Sequence, residues 1–365
     1  MKGGVVVLLG LVVVGAVVIG ARAARPPVVP AMFVLGASTL DVGNNNHLPG
    51  KDVPRADHPF YGIDFPGGAR ATGRFSNGYN IADFVARQLG FERSPVAYLE
   101  LKSRNCLIPN ALKGGVSYAS AGAGILDSTN AGKNIPLSKQ VRYFASTMAE
   151  METAWGRYNV SKLLASSFFL LSIGNNDLLQ STPKTHADVV TLYTTLVSNY
   201  STAITDLYRM GARKFGIINT GPVGCLPRVR LLNATGACHD GLNRLSAGLA
   251  AAFKTGLAAA LTPTRLPGLT YSLSDSFASS RANFENPEAT GFLNIDNACC
   301  GSGRLGAEGD CNTNAMLCNN RNAYAFWDYA HPSQRAAELG AQALFDEGPA
   351  QITTPISFKQ LAYQK

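Results

Sequence analysis

Charged residues are scarce in this sequence. Asp, Glu, Lys and Arg make up 15% of the 365 residues and apolar residues make up 46%, against averages of about 25% and about 45–50%. Disordered proteins show the opposite balance, so the composition excludes extensive disorder and provides for a large core. The formal net charge is +8, but the basic residues are scattered and form no stripe. A nucleic-acid partner is therefore not predicted.

Histidine is scarce as well, with five residues in the chain. No histidine lies near the last four cysteines and no paired C-x-x-C motif occurs, so no metal site is predicted. In an oxidising compartment the seven cysteines would instead form disulfides, with at least one thiol left over. Cys225 and Cys238 are close enough to close a small loop, whereas the pairing of the others stays open. The other five are Cys106, Cys299, Cys300, Cys311 and Cys318.

Long hydrophobic runs are limited to the N-terminus. The run covers residues 5–19, which is short of the roughly 20 residues that span a bilayer. Lys2 precedes it and Ala21-Arg22-Ala23 follows it, which is the pattern of a secretory signal peptide with its cleavage site. We therefore predict a signal peptide over residues 1–23, with a transmembrane anchor as the alternative, and no stable membrane span after cleavage.

A signal peptide determines where the mature protein is expected. We predict a secreted, extracellular protein, with retention in the endoplasmic reticulum as the alternative; the chain ends in LAYQK and carries no KDEL-type signal. No protein partner is predicted. Three N-x-S/T sequons are candidate glycosylation sites if they are exposed, namely Asn159, Asn199 and Asn233.

Short apolar runs alternate with helical segments along the rest of the chain. Strand-like runs cover residues 31–36, 167–174, 214–221 and 268–275, and helical periodicity covers residues 77–90, about 187–210 and about 242–261. This alternation predicts one α/β domain, from residue 28 to residue 365, with a parallel sheet between helices. Ligands bind beyond the carboxyl ends of such strands, so we expect the polar turns after the first three runs to converge.

Ser38 follows the first run, in GASTLD, and could be a nucleophile or a turn residue. Its best base is His331, because Asp328 precedes this histidine by three residues in FWDYAHPS and can orient the imidazole. Asn176 in IGNND and the backbone of Gly122 in SYASAGAGIL are candidate donors to an oxyanion. The alternatives are a surface ion pair for the Asp–His motif and a simple turn glycine.

The other polar candidates receive structural interpretations. Asp177 is set aside as the triad acid in favour of Asp328, which is adjacent to a histidine. The three asparagines at residues 44–46 are interpreted as turn formers. The remaining histidines are interpreted as solvent-facing or structural; they are His47, His58, His186 and His239.

Six sequence blocks occur in a characteristic order: FVLGASTLDVGNNN, GRFSNGYNIADFVARQLG, GVSYASAGAGIL, LLSIGNND, KFGIINTGPVGCLP and YAFWDYAHPS. Together they resemble the plant GDSL esterase/lipase family of the SGNH hydrolases, from about Met32 onward. The resemblance implies a flavodoxin-like three-layer α/β/α fold with a central five-stranded parallel sheet. It also implies that the protein uses neither a metal nor an organic cofactor.

The resemblance also assigns roles to residues of this chain. It implies that Ser38 is the nucleophile of a triad with His331 and Asp328. The backbone N–H of Ser38, together with Gly122 and Asn176, would hold the oxyanion. The implied activity is that of a serine esterase or lipase, which forms an acyl-enzyme from lipid-type acyl esters, including precursors of cutin, wax or other extracellular lipids.

The naming motif of the family is divergent here. G-D-S-L appears as G-A-S-T at residues 36–39, Ser117 stands where asparagine is usual, and Ala121 often reads glycine in relatives. Ala37 cannot form a side-chain hydrogen bond, so whatever the acid orients in relatives must be held differently. The alternative functions are a catalytically weakened or inactive member that binds lipid or glycan, and a wall-polysaccharide deacetylase or acyltransferase.

Overall fold

The structure is a computed structural model that describes residues 26–348 and 351–364. The predicted signal peptide, residues 1–23, lies outside the described residues. The strands are β1 Met32–Gly36, β2 Gly115–Ser117, β3 Phe168–Ser172, β4 Lys214–Ile218, β5 Thr270–Ser274, β6 Asn294–Ala298, β7 Cys300–Gly301, β8 Met316–Leu317, β9 Tyr324–Phe326 and β10 Thr353–Thr354. The α-helices are α1 Ile81–Gln88, α2 Tyr98–Ser103, α3 Leu107–Lys113, α4 Leu137–Trp155, α5 Arg157–Ser166, α6 Asn175–Gln180, α7 His186–Arg209, α8 Pro227–Arg230, α9 Asp240–Ala260, α10 Ser276–Glu285, α11 Gln334–Phe345 and α12 Phe358–Tyr363.

A sheet in the order β10-β5-β4-β3-β1-β2 forms the centre of the fold. β2, β1, β3, β4 and β5 run parallel, whereas β10 pairs antiparallel with β5. The predicted five-stranded parallel sheet is therefore confirmed, and a sixth, antiparallel strand extends it at one edge. The sequence pattern predicts neither β2 nor β10, because segments of three and two residues are too short to show a period.

The central strands bury both of their faces. Successive side chains of a strand point to opposite faces, so Phe33 and Phe169 enter one core while Met32 and Phe168 enter the other. The rings of Phe33 and Phe169 stack with centroids 5.1 Å apart. Helices α4, α7 and α9 cover the first face, and α1, α11 and α12 cover the second. This is the predicted three-layer α/β/α arrangement.

The helices predicted from periodicity begin and end at residues of defined capping geometry. α1 begins with a capping box between Asn80 and Asp83, in which each side chain accepts a backbone hydrogen bond of the other residue. α7 begins with the same device and ends before Gly211, whose φ of 111° is a conformation that favours glycine. The ends of α7 and α9 agree with the prediction to within about two residues, whereas α1 begins at Ile81, four residues after the predicted start at residue 77.

Three disulfides settle the pairing that the sequence left open. The bridges are Cys225–Cys238, Cys299–Cys318 and Cys300–Cys311, and Cys106 is a half-buried free thiol. The backbone N–H of Cys300 donates to the carbonyl of Trp327 at 2.7 Å, and that of Cys299 donates to the carbonyl of Phe326 at 3.1 Å. The cross-linked segment therefore pairs with the chain immediately before Asp328.

Candidate active site

Ser38 lies in the turn that follows β1, at the carboxyl end of the parallel sheet. The preceding Gly36 packs so closely on β3 that a Cβ atom there would lie 2.4 Å from the carbonyl oxygen of Ser172. Gln140 of α4 holds this glycine: its Oε1 accepts from the N–H at 2.8 Å and its Nε2 donates to the carbonyl at 2.9 Å. The turn is thus fixed by β3 and by a buried side-chain amide.

Ala37 shows how the turn is held without the acid of the naming motif. Its side chain is 7% exposed and belongs to the core on the first sheet face. Its N–H donates to the carbonyl of Ser172 at 3.0 Å, and its carbonyl accepts from the N–H of Leu40 at 3.1 Å. Backbone hydrogen bonds, together with Gln140, therefore hold the turn that contains Ser38 without an acidic side chain at residue 37.

Asp41 connects this turn to the loop that contains Gly122. Its Oδ1 accepts from two N–H groups of the next turn at 2.8 Å, and its Oδ2 accepts from the N–H of Ala121 at 2.9 Å. Burial raises the pKa of Asp41 to about 6, although these backbone hydrogen bonds oppose the shift. Sequence reasoning missed this residue; a lone acid ahead of an asparagine-rich turn is the signal that could have indicated it.

The asparagines after Asp41 shape the surrounding loops, as predicted. The Nδ2 of Asn44 donates to the carbonyls of Ser117 and Ala119 at 2.9 and 2.8 Å. The Nδ2 of Asn45 donates to the carbonyl of Ala121 at 3.0 Å. These bonds tie the end of β2 to the turn after β1. The hydroxyl of Ser117 is buried without a hydrogen-bond partner among the described residues.

Asp328 and His331 face each other in the loop after β9. The Nδ1 atom of His331 lies 2.8 Å from each carboxylate oxygen of Asp328. Because an ionised carboxylate can only accept, Nδ1 carries the proton and the lone pair of Nε2 stays available. Asp328 is fully buried and His331 is 8% exposed. The alternative interpretation as a surface ion pair is therefore wrong.

Tyr61 supplies Asp328 with a further donor that sequence reasoning missed. Its hydroxyl donates to Oδ2 at 2.7 Å, while the N–H groups of Ala330 and His331 donate to Oδ1 at 2.8 and 2.9 Å. Burial favours the neutral acid, but the interaction with His331 and these hydrogen bonds outweigh it and lower the pKa of Asp328 below 3.8. Burial and the adjacent Asp328 carboxylate raise the pKa of Tyr61 well above its ordinary value, so the phenol keeps its proton.

The predicted oxyanion donors lie around the same cavity. The backbone N–H groups of Ser38 and Gly122 have no hydrogen-bond partner within the described part of the chain. Gly122 has a φ of 80°, which favours glycine. Asn176 donates one amide hydrogen to the carbonyl of Ala123 at 2.9 Å, so its second amide hydrogen remains available.

Asp177 holds the loop that follows Gly122. Its carboxylate accepts from the N–H groups of Ile125 and Leu126 at 2.9 and 3.1 Å and from the hydroxyl of Thr129 at 2.7 Å. Burial raises the pKa of Asp177 against the effect of these bonds. Among the described residues, the Asp177 carboxylate accepts only from groups of the loop after Gly122 and from no histidine, which agrees with the choice of Asp328 as the partner of His331.

A cavity of about 300 Å³ lies between these groups, lined by Ser38, Gly122, Asn176 and His331. The structure thus brings together residues that are far apart in the sequence. The hydroxyl of Ser38 and the imidazole of His331 are not hydrogen-bonded here, and such bonds are often long before substrate binds. Across residues 26–348 and 351–364, no group of His, Cys, Asp and Glu could hold a metal ion, and no helix is long and apolar enough to cross a membrane.

The remaining candidates lie outside the cavity. The Nδ1 of His239 accepts from the first turn of α9 at 3.2 Å, and His186 is the first residue of α7. Asn159 and Asn199 are exposed on α5 and α7, whereas Asn233 is half-buried in the turn after α8. Glycosylation at these three asparagines stays a prediction.

Comparison with known proteins identifies the family. The model of the GDSL-like lipase/acylhydrolase family matches residues 32–344. In Arabidopsis thaliana, GDSL esterase/lipase At4g28780 is 33% identical over 91% of this chain and 90% of its own length. GDSL esterase/lipase At1g71250 is 34% identical over 91% and 89%, and GDSL esterase/lipase APG is 34% identical over 88% and 91%.

A solved structure, that of an alpha/beta hydrolase enzyme from the metagenome of Lake Arreo in Spain, is 11% identical over 86% of this chain and 92% of that one. Its TM-score is 0.33, a likeness too weak to add to the fold or the function. The family match and the Arabidopsis relatives both cover most of the sequence. The chain therefore belongs to the GDSL-like lipase/acylhydrolase family and is a carboxylic ester hydrolase.

Proposed function

We propose that the protein is a secreted serine esterase that hydrolyses lipid-type acyl esters through Ser38, His331 and Asp328. The observation that carries the proposal is the arrangement around one cavity. A serine hydroxyl and an imidazole line it, the Nδ1 of the imidazole lies 2.8 Å from a buried carboxylate, and two unpaired N–H groups complete it. Membership of the family supports ester hydrolysis itself.

The chemistry follows from these groups. Nε2 of His331 takes the proton of Ser38 as Oγ attacks the ester carbonyl, and Asp328 stabilises the imidazolium that forms. The carbonyl oxygen gains negative charge and accepts from the N–H groups of Ser38 and Gly122 and from the amide of Asn176. The imidazolium protonates the leaving alcohol, which leaves an acyl-enzyme. Water, deprotonated by the same imidazole, then releases the carboxylic acid and restores the serine.

A series of p-nitrophenyl esters tests the triad directly. We expect Ser38→Ala and His331→Ala each to lower kcat by at least about 10³-fold, and the double variant to be no slower than either alone, because triad residues act as a unit. A fluorophosphonate probe should label the wild type and not Ser38→Ala. Equal hydrolysis rates for wild type and Ser38→Ala would rule out the triad.

The second candidate function, a weakened enzyme that binds lipid or glycan, is favoured by Ala37. Because Gln140 and the carbonyl of Ser172 hold the turn, we expect Ala37→Asp to change kcat by less than about tenfold, below about 1.4 kcal/mol. A gain of several orders of magnitude from a near-zero rate would instead identify a degenerate catalyst. Acetyl release from wall polysaccharide, with no turnover of lipid esters, would support the deacetylase alternative.

We further infer an extracellular location, with precursors of cutin or wax as the substrate class. The three disulfides support this location, because such bonds persist in oxidising compartments. Expression with residues 1–23 in a plant cell should deliver the protein to the medium. A glycosidase should increase its gel mobility, and joint replacement of Asn159, Asn199 and Asn233 by glutamine should abolish that shift. Retention inside the cell without a glycan would contradict the location.

A further inference from the structure

A second cavity of about 240 Å³ lies directly beside the catalytic one. Thr39 follows the proposed nucleophile and Ala330 precedes the proposed base, so the shared wall lies next to the reacting atoms. The residues that line both cavities are Thr39, Ser172, Asn175, Asn219, Leu226 and Ala330.

The two cavities differ in chemistry. No charged side chain lines the second cavity, whereas Asp52, Lys133 and Arg228 line the catalytic one. On one side of the second cavity, α11 contributes small residues together with Leu339 and Leu344. On the other side lies Phe284 of α10, whose ring centroid is 5.9 Å from that of Phe326. Aromatic and aliphatic carbon therefore forms much of the wall, with serines of α10 at one side.

We propose that the second cavity binds the aliphatic acyl chain of the ester substrate, an inference that rests on the proposed function. With the ester carbonyl at Ser38, the acyl chain passes between Thr39 and Ala330, and the alcohol stays in the charged cavity. Threonine is one atom shorter than the leucine that the naming motif carries at this position, which widens the passage. At roughly 30 Å³ for each water-sized group, the cavity has room for about eight methylenes.

If the cavity binds the acyl chain, the enzyme should select substrates by the length of that chain. Burial of a methylene favours binding about fourfold, so kcat/KM should rise with each carbon until the cavity is full and then level off. A charged acyl group finds no ionic partner in the uncharged wall and should be a poor substrate.

Ala336→Phe tests the proposal, because Ala336 lines the cavity from α11 and does not line the catalytic cavity. Ala343→Phe is the matched control: it is the same change on the same helix, at a half-buried residue outside the cavity. With p-nitrophenyl esters from acetate to decanoate, we expect the octanoate-to-acetate ratio of kcat/KM to fall at least tenfold in Ala336→Phe. The ratio should stay at the wild-type value in the control.

Ser280→Phe fills the cavity from the opposite wall. α10 has no buried residue, so this variant should fold even if Ala336→Phe does not. An octanoate-to-acetate ratio that stays at the wild-type value in every folded cavity variant would overturn the proposal while leaving the esterase intact.

A binding measurement with octanoate tests the acyl cavity independently of the proposed catalysis. Calorimetry with octanoate and the Ser38→Ala protein measures occupancy without turnover. Octanoate binding that Ala336→Phe or Ser280→Phe weakens at least tenfold, together with a wild-type protein that hydrolyses no ester, would retain the cavity and refute the proposed catalytic function. Absence of octanoate binding together with a chain-length-independent rate would refute the cavity alone.

Discussion

Replacement of Tyr61 by phenylalanine removes one hydroxyl from a carboxylate that is completely buried. The Asp328 carboxylate accepts four hydrogen bonds, from the Tyr61 hydroxyl, from two backbone N–H groups and from the imidazole of His331. A hydrogen bond to a charged group contributes about 1.5–3 kcal/mol. We therefore expect the Tyr61→Phe variant to lose about that much free energy of unfolding at pH 7.

The loss should depend on pH in a defined direction. The pKa of Asp328 lies below 3.8 in the folded protein, so its ionised form stabilises the fold above that pH. This stabilisation is lost as the pH falls through the folded pKa. With one donor to its ionised form fewer, the pKa of Asp328 should rise. The stability difference between wild type and variant should therefore be full at pH 7 and shrink below about pH 4.

Urea unfolding at several pH values and ester kinetics measure the two effects. Tyr61 does not line the catalytic cavity, so KM should stay unchanged while kcat falls up to about tenfold, equivalent to about 1.4 kcal/mol, as the histidine loses its fixed partner. Tyr200→Phe is the control, because Tyr200 is 2% exposed and its hydroxyl bonds to no described residue. The same loss of stability in both variants, with wild-type kcat in each, would refute a role of Tyr61 on Asp328.

Three further substitutions test the buried groups that hold the loops of the site in place. Gln140→Leu should lower the free energy of unfolding by about 2–6 kcal/mol in urea, since both the N–H and the carbonyl of Gly36 lose a buried partner. Burial raises the pKa of Asp41 to about 6, so ionisation destabilises the fold, and wild type should lose up to about 3 kcal/mol between about pH 4 and about pH 6; Asp41→Asn should lack this pH dependence. Joint replacement of Cys300 and Cys311 by alanine should remove about 3 kcal/mol and lower kcat, as followed by thermal unfolding and ester hydrolysis. A variant as stable and active as wild type would show that the replaced support is dispensable.

The sequence predicts the parallel strands best. Residues of β1, β3 and β4 are covered on both faces, so these strands appear as continuous apolar runs between turn residues. β10 has only two residues, and its pairing with β5 depends on where the chain beyond α11 returns. Its position is a product of tertiary packing, and no local pattern of two residues encodes it.

The residues of the candidate site also differ in how far the sequence predicts them. Ser38 and the Asp328–His331 pair could be identified because each lies at a strand end within a short motif of interpretable chemistry. Tyr61 could not, because it lies in an irregular segment with no period, and only the complete fold brings its hydroxyl to Asp328. Gln140 could not be predicted either, because a glutamine on a long helix is usually exposed. Its contact with Gly36 also spans 104 residues of sequence.

The two ends of the chain supply different halves of the site. Ser38 follows the first strand, while Asp328 and His331 come after the last strand that precedes α11. A chain synthesised as far as β5 already contains the five parallel strands and the turn with Ser38, but neither Asp328 nor His331. Under the proposed mechanism, a chain that ends before Asp328 has no base and would not hydrolyse esters. Under the same mechanism, ester hydrolysis begins only after the polypeptide has been synthesised through His331, so the order of synthesis delays the onset of activity.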